Sequence, residues 1–135
     1  MRRWLLRGHI GVLATLVPLA VRLAAVERLV RLLTPPRWLR PYAGVTAPEI
    51  AGFVGHRLRR PRNMRRRACL RQGLVLFHFL RLAGLPAAVH FGVFSPATDP
   101  RRLHGHCWVT VGDVCLSPPP EEPVAVVLSR GGKTN

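Results

Sequence analysis

Cys69 is the residue with the clearest chemistry to offer. It sits at the start of Ala68-Cys69-Leu70-Arg71-Gln72-Gly73-Leu74-Val75-Leu76-Phe77-His78-Phe79-Leu80, a run that reads as a helix with a cysteine in its first turn. Backbone N–H groups at a helix start are unpaired and carry about half a positive charge. Arg62, Arg65, Arg66 and Arg67 precede the cysteine closely. Thiols in such settings ionise more readily than ordinary ones and act as nucleophiles. The plain alternative is a small buried apolar residue, which is what most free cysteines are. A nucleophilic thiol also needs a base. His104 and His106 share one face of a candidate strand, and a cysteine opening a buried helix with a histidine on a strand is the arrangement of a thiol nucleophile with its base. Spacing leaves the choice between them open: His106 has Trp108 on its own face, and His104 lies nearer the loop.

The elements that must position these groups follow from periodicity. From Leu70 onward the helix is apolar on nearly every side, so it should be buried. It should end at Ala83-Gly84-Leu85-Pro86, with Gly84 as a left-handed cap. The period then changes. Ala87 to Phe94 alternates, with Val89, Phe91 and Val93 on one face and His90 and Gly92 on the other. Leu103 to Val111 alternates again, with Cys107 and Val109 opposite in direction to His106 and Trp108. Gly112-Asp113 reads as a two-residue hairpin turn, so Val111 should face Val114 and Thr110 should face Cys115. That register puts Cys107 and Cys115 on opposite faces, which argues against a disulfide between them. Pro118-Pro119-Pro120 breaks the strand, and Val124 to Ser129 reads as a last one.

Ahead of the central helix, Met1 to Leu33 is strongly apolar and punctuated by arginine. The uncharged run Ile10 to Val21 is shorter than the roughly 20 residues of a membrane span. A basic amphipathic arm that packs on the core and touches a membrane surface fits it better, with Pro18 expected to kink or split it. Thr34-Pro35-Pro36 stops this arm, and Arg37 to Thr46 connects. Thr46-Ala47-Pro48-Glu49 then fits a helix start, with Ile50, Phe53, Val54 and Leu58 inward. Helices first and strands afterwards, in a meander, make the class α+β: a small antiparallel sheet packed on a buried central helix. Residues 1–58 are expected to form a basic helical region and 59–135 the catalytic core, within one structural domain.

Composition bounds the partners. The chain has 135 residues, 48% of them apolar, and a net charge of +15 that is almost all arginine, since Lys133 is the only lysine. Such an excess calls for an anionic partner. The strands lack the interleaved aromatics of a single-strand binder, so no nucleic acid is expected. Three cysteines without paired spacing argue for a reducing compartment, hence the cytoplasm, with peripheral contact at the inner face of the membrane. No Cys-x-x-Cys or His-x-x-x-His occurs, so no metal site is expected.

Four stretches in order resemble one family. They are Ala68-Cys69-Leu70-Arg71-Gln72-Gly73-Leu74, Leu80-Arg81-Leu82-Ala83-Gly84-Leu85-Pro86, His90-Phe91-Gly92-Val93 and Gly105-His106-Cys107-Trp108-Val109. Together they look like the McjB-type C-terminal domain, the lasso-peptide leader peptidase, a branch of the transglutaminase-like (papain-like) superfamily. The resemblance implies a cysteine peptidase that removes the leader from a ribosomally made lasso precursor. Cys69 would be the nucleophile and His106 the base and then acid, with the Cys69 N–H helping to bind the oxyanion. It implies three partners: the precursor peptide, a separate leader-recognition domain protein, and an asparagine-synthetase-like cyclase. No cofactor is expected to be bound directly, and ATP dependence enters through the resemblance alone. Arg65, Arg66, Arg67 and Trp108 are candidate docking residues for substrate or partner.

One departure stands out. The family orients its histidine with an aspartate on the following strand, near positions 117–119, where this chain has Ser117, Pro118 and Pro119. Ser117 is a weak substitute; Glu121 or Glu122 would have to fold back; Asp113, in the turn, lies far along the hairpin from His106. Loss of the orienting carboxylate costs about 10⁴ in rate in a serine-protease triad. The alternative is therefore a weak or inactive scaffold of the same fold that binds precursor and maturation partners.

Overall fold

The computed structural model describes residues 2–58, 68–95, 101, 104–117 and 124–132. Four helices, α1 (Arg2–Leu23), α2 (Val26–Leu32), α3 (Ala47–Leu58) and α4 (Ala68–Leu82), precede four strands, β1 (Ala87–Phe94), β2 (His104–Val111), β3 (Val114–Cys115) and β4 (Ala125–Gly131). The architecture is α+β, with a four-stranded antiparallel sheet.

Helix α4 is the hub. Its Leu74, Val75, Phe77, Phe79 and Leu80 are fully buried, because α1 and α3 cover it on one side and β1 and β2 on the other. Its end has the two bonds of a Schellman cap: Gly84 N–H to the Arg81 carbonyl at 2.9 Å and Leu85 N–H to the Leu80 carbonyl at 3.0 Å. Gly84 takes φ +79°, a left-handed value that glycine adopts freely. Helix α3 starts with a reciprocal capping box. The Glu49 N–H donates to Thr46 Oγ1 at 3.4 Å, and the Thr46 N–H donates to Glu49 Oε2 at 3.1 Å.

Helix α1 is continuous through Pro18; the break comes later, at Ala24-Ala25. One face carries Leu6, Ile10, Ala14, Val17 and Val21 into the core. That tertiary contact holds the helix together where local propensity would interrupt it. The helix runs past the uncharged stretch at both ends, from Arg2 to Leu23, and at 22 residues it is long and apolar enough to cross a membrane by length and composition. His9 joins α1 to the connector through a 2.9 Å bond between its Nδ1 and the Tyr42 hydroxyl, and it meets the Phe79 ring edge-on at 4.9 Å. His78 donates from Nδ1 to the Leu33 carbonyl at 2.7 Å, tying α4 to the end of α2.

The sheet is not a meander. Its order is β3-β2-β1-β4, so the last strand returns to pair with the first. β3 is two exposed residues long and offers little edge, whereas β1 presents eight residues whose inner side chains are buried. The hairpin register is as expected, with Val111 opposite Val114 and Thr110 opposite Cys115, and Gly112 at φ +58° in the turn.

Candidate active site

Alternation along β1 and β2 divides their side chains between two faces. Val89, Phe91, Cys107 and Val109 turn toward α4 and are buried. His90, His106, Trp108 and Thr110 form the other row and are half-buried. Cys69 lies in the first turn of α4, half-buried, and Gly73 follows one turn later. A Cβ on Gly73 would collide with the Cys107 sulfur, so the missing side chain is what lets α4 approach β2 this closely.

A groove of about 450 Å³ opens beside this contact. Cys69 and Leu70 line it from α4, Phe91 and Val93 from β1, and His106 and Cys107 from β2. Val26 of α2 and Val127 and Leu128 of β4 close it with further apolar surface. The two residues assigned to thiol chemistry thus both line this groove. They reach it from different rows: Cys69 from the helix side, His106 from the row that carries Trp108.

The three cysteines occupy different settings, and all are free. Cys107 is buried, and burial first, then the neighbouring Cys69, pushes its thiol well above the ordinary range. It stays a neutral thiol and serves as packing. Cys115 is exposed on β3, and its thiol donates to the Ser117 carbonyl at 2.9 Å. Cys69 and Cys107 both line the groove, and of the two Cys69 is the one that is not buried.

The His106 ring is stacked on Trp108, with centroids 6.0 Å apart and planes 20° from parallel. Trp108 in turn stacks on His90 at 5.4 Å and 23°. His90 is held at both nitrogens, Nδ1 to the Ser129 hydroxyl at 2.8 Å and Nε2 to the Thr110 hydroxyl at 2.9 Å. Burial lowers its pKa, so it is the neutral ring that bridges the two hydroxyls. Gly92 pairs with His106 across the strands, and a Cβ there would strike Val124 and press on the Trp108 ring at 3.2 Å. The column His90–Trp108–His106 is therefore anchored at its far end and given room by a glycine.

Ser117 is buried, and its hydroxyl accepts the Val109 N–H at 2.8 Å, continuing the β2–β3 pairing where β3 stops. Asp113 is exposed in the turn. Arg65, Arg66, Arg67, Glu121 and Glu122 lie outside the described residues, and so does everything about the side chain of His104. Among the described residues no Asp or Glu lines the groove, and no cluster of three metal-ligating side chains occurs. Sequence reading missed His90, Gly73 and Gly92. The signal for His90 was present, because pairing β1 with β2 in register sets it beside Trp108.

A family model described as the transglutaminase-like superfamily matches residues 13–129. The chain belongs to the transglutaminase-like superfamily. The match runs from within α1 to within β4, and takes in α2, α3 and α4 together with most of the sheet. No curated protein and no solved structure matches the chain. The transglutaminase-like superfamily includes cysteine peptidases, and a half-buried cysteine in the first turn of the hub helix suits thiol chemistry.

Proposed function

We propose that this transglutaminase-like protein is a cysteine peptidase that removes the leader from a lasso-peptide precursor, with Cys69 as nucleophile and His106 as base. The observation that carries the reading is the groove that both Cys69 and His106 line. The finer assignment to lasso precursors rests on the four motif stretches between Ala68 and Val109. In the first step His106 takes the proton of the Cys69 thiol, and the sulfur attacks the scissile carbonyl carbon. The carbon–nitrogen bond breaks, the leader remains as a thioester, and His106 gives a proton to the departing amine of the core peptide. In the second step His106 takes a proton from water, the hydroxide attacks the thioester, and the leader leaves as a carboxylate with the thiol restored. The apolar walls formed by Leu70, Phe91, Val93 and Val127 favour a precursor with apolar side chains flanking the cleavage point. Stacking on Trp108 fixes the plane of the His106 ring, which serves the orientation that a carboxylate gives elsewhere.

The partners that go with this reading are a separate leader-recognition protein and an asparagine-synthetase-like cyclase, and the cyclase is the natural site of any ATP use. The test is mass spectrometry of precursor incubated with the purified protein and its leader-recognition partner. Loss of the leader mass with wild type, and an intact precursor with Cys69→Ala, supports the peptidase. Unchanged cleavage by the variant rules it out.

A second reading, a precursor-binding scaffold, is favoured by one observation: among the described residues the groove has no carboxylate, and the Ser117 hydroxyl is spent on the Val109 backbone. A thiol-reactive probe separates the two. Rapid, selective labelling at Cys69 at neutral pH belongs to the enzyme, and labelling no faster than a free thiol belongs to the scaffold.

A further inference from the structure

Helix α1 has two apolar faces, and the fold uses one. Leu6, Ile10, Ala14, Val17 and Val21 are buried in the core. Leu5, Val12, Leu16, Leu19 and Leu23 form a second stripe, each more than half exposed. At 100° per residue those five fall within a narrow sector nearly opposite the buried one. The stripe spans 19 positions, roughly 27 Å of helix. No charged residue occurs from Gly8 to Val21, whereas Arg2, Arg3 and Arg7 precede that stretch and Arg22 follows it. All four arginines are exposed, but Arg3 pairs with Glu49 at 2.7 Å and Arg7 lies over the Phe53 ring at 4.7 Å, which leaves Arg2 and Arg22 to flank the stripe.

We infer that α1 is a membrane-docking element, laying this stripe into the interface of an anionic bilayer with Arg2 and Arg22, at its two ends, on the lipid phosphates. Three observations select that occupant. The chain carries a net charge of +15, which favours an anionic surface. The stripe carries no charged residue between Gly8 and Val21, so laying it into the interface buries no ion. A second copy is disfavoured by charge. Antiparallel pairing of two stripes sets Arg22 of one chain against Arg2 and Arg3 of the other, between two bodies of the same strong sign. The helix does not cross the bilayer while the domain stays folded, because its opposite face supplies Leu6 and Ile10 to the core at 0% and 1% exposure. It enters to the depth of one helix face.

The test is co-sedimentation of the full chain with vesicles of phosphatidylglycerol mixed with phosphatidylcholine, beside phosphatidylcholine alone. Binding to the anionic vesicles is expected, at least tenfold weaker with phosphatidylcholine and at least tenfold weaker again for Leu16→Glu/Leu19→Glu. Both leucines are exposed, so that variant keeps its core, and Val12→Glu provides an independent second variant. Three results overturn the inference: no binding to anionic vesicles at low salt, binding that both variants leave unchanged, or a dimer in sedimentation that the variants dissolve in the absence of lipid.

Discussion

The two faces of the β1–β2 pair are built from the same strands, two residues apart in period, and they do different work. The face toward α4 is dry and carries Val89, Phe91, Cys107 and Val109. Its side chains are spent on packing, and its one titratable group is held neutral by burial. The other face carries His90, Trp108, His106 and Thr110, half-buried, bonded to hydroxyls and stacked ring on ring. One strand, β2, holds the packing cysteine and the candidate base as neighbours, 107 and 106. A single-residue slip in register would exchange their roles. The pairing of β1 with both β2 and β4 is what prevents it.

This contrast can be broken at several points. Cys69→Ala should lower leader removal by at least about 10³-fold while leaving the melting temperature within about 2 °C, measured by mass spectrometry and circular dichroism. Changes on the helix-facing row should move stability instead. Gly73→Ala should cost about 1 kcal/mol net, because the collision with Cys107 outweighs the gain in helix propensity. In a Cys107→Ala background the same change should become neutral or stabilising by up to about 1 kcal/mol, read as a double-mutant cycle from urea denaturation. Additive single effects would show that the sulfur is not what Gly73 accommodates. On the open row, Trp108→Ala should reduce kcat about fivefold, in line with an aromatic pair worth about 1 kcal/mol, with KM changed little.

The smallest effect expected is in acid. Burial lowers the pKa of His78, with the Leu33 carbonyl opposing and His9 adding to the shift, and burial alone lowers His9 and His90. The unfolded chain then takes up protons first as pH falls. Stability should be complete above the ordinary histidine value of about 6.5 and decline below it. His78→Gln should flatten part of that slope in melting temperatures recorded between about pH 7.5 and pH 5.

Much of this was readable before any coordinates. Unbroken apolar character gave the buried hub helix, Thr46 and Glu49 gave its neighbour's start, and strict alternation gave β1, β2 and the hairpin. The α+β class and the transglutaminase-like resemblance followed from the same residues, and the family match bears both out. The partner of β4 was not legible, because alternation says which side chains share a face and nothing about which edge accepts the strand. Pro18 misled because propensity is local, whereas five core contacts along α1 are not. In the site, Cys69 was visible as a helix-opening thiol. The clamp on His90 was not, since it depends on Ser129, which is 39 positions away in the chain and adjacent only once β4 has paired.

That late pairing has a bearing on timing. Val127 and Leu128 form one side of the groove, and Ser129 steadies the column behind it. All three follow the thiol and the imidazole in the chain, so they are synthesised after both. A nascent chain that has not reached β4 carries its thiol and imidazole with no finished cleft around them, so competence should begin only once β4 has been made and has paired. A stop codon just before Ala125 should leave the reactive pair encoded and the cleft unwalled on that side.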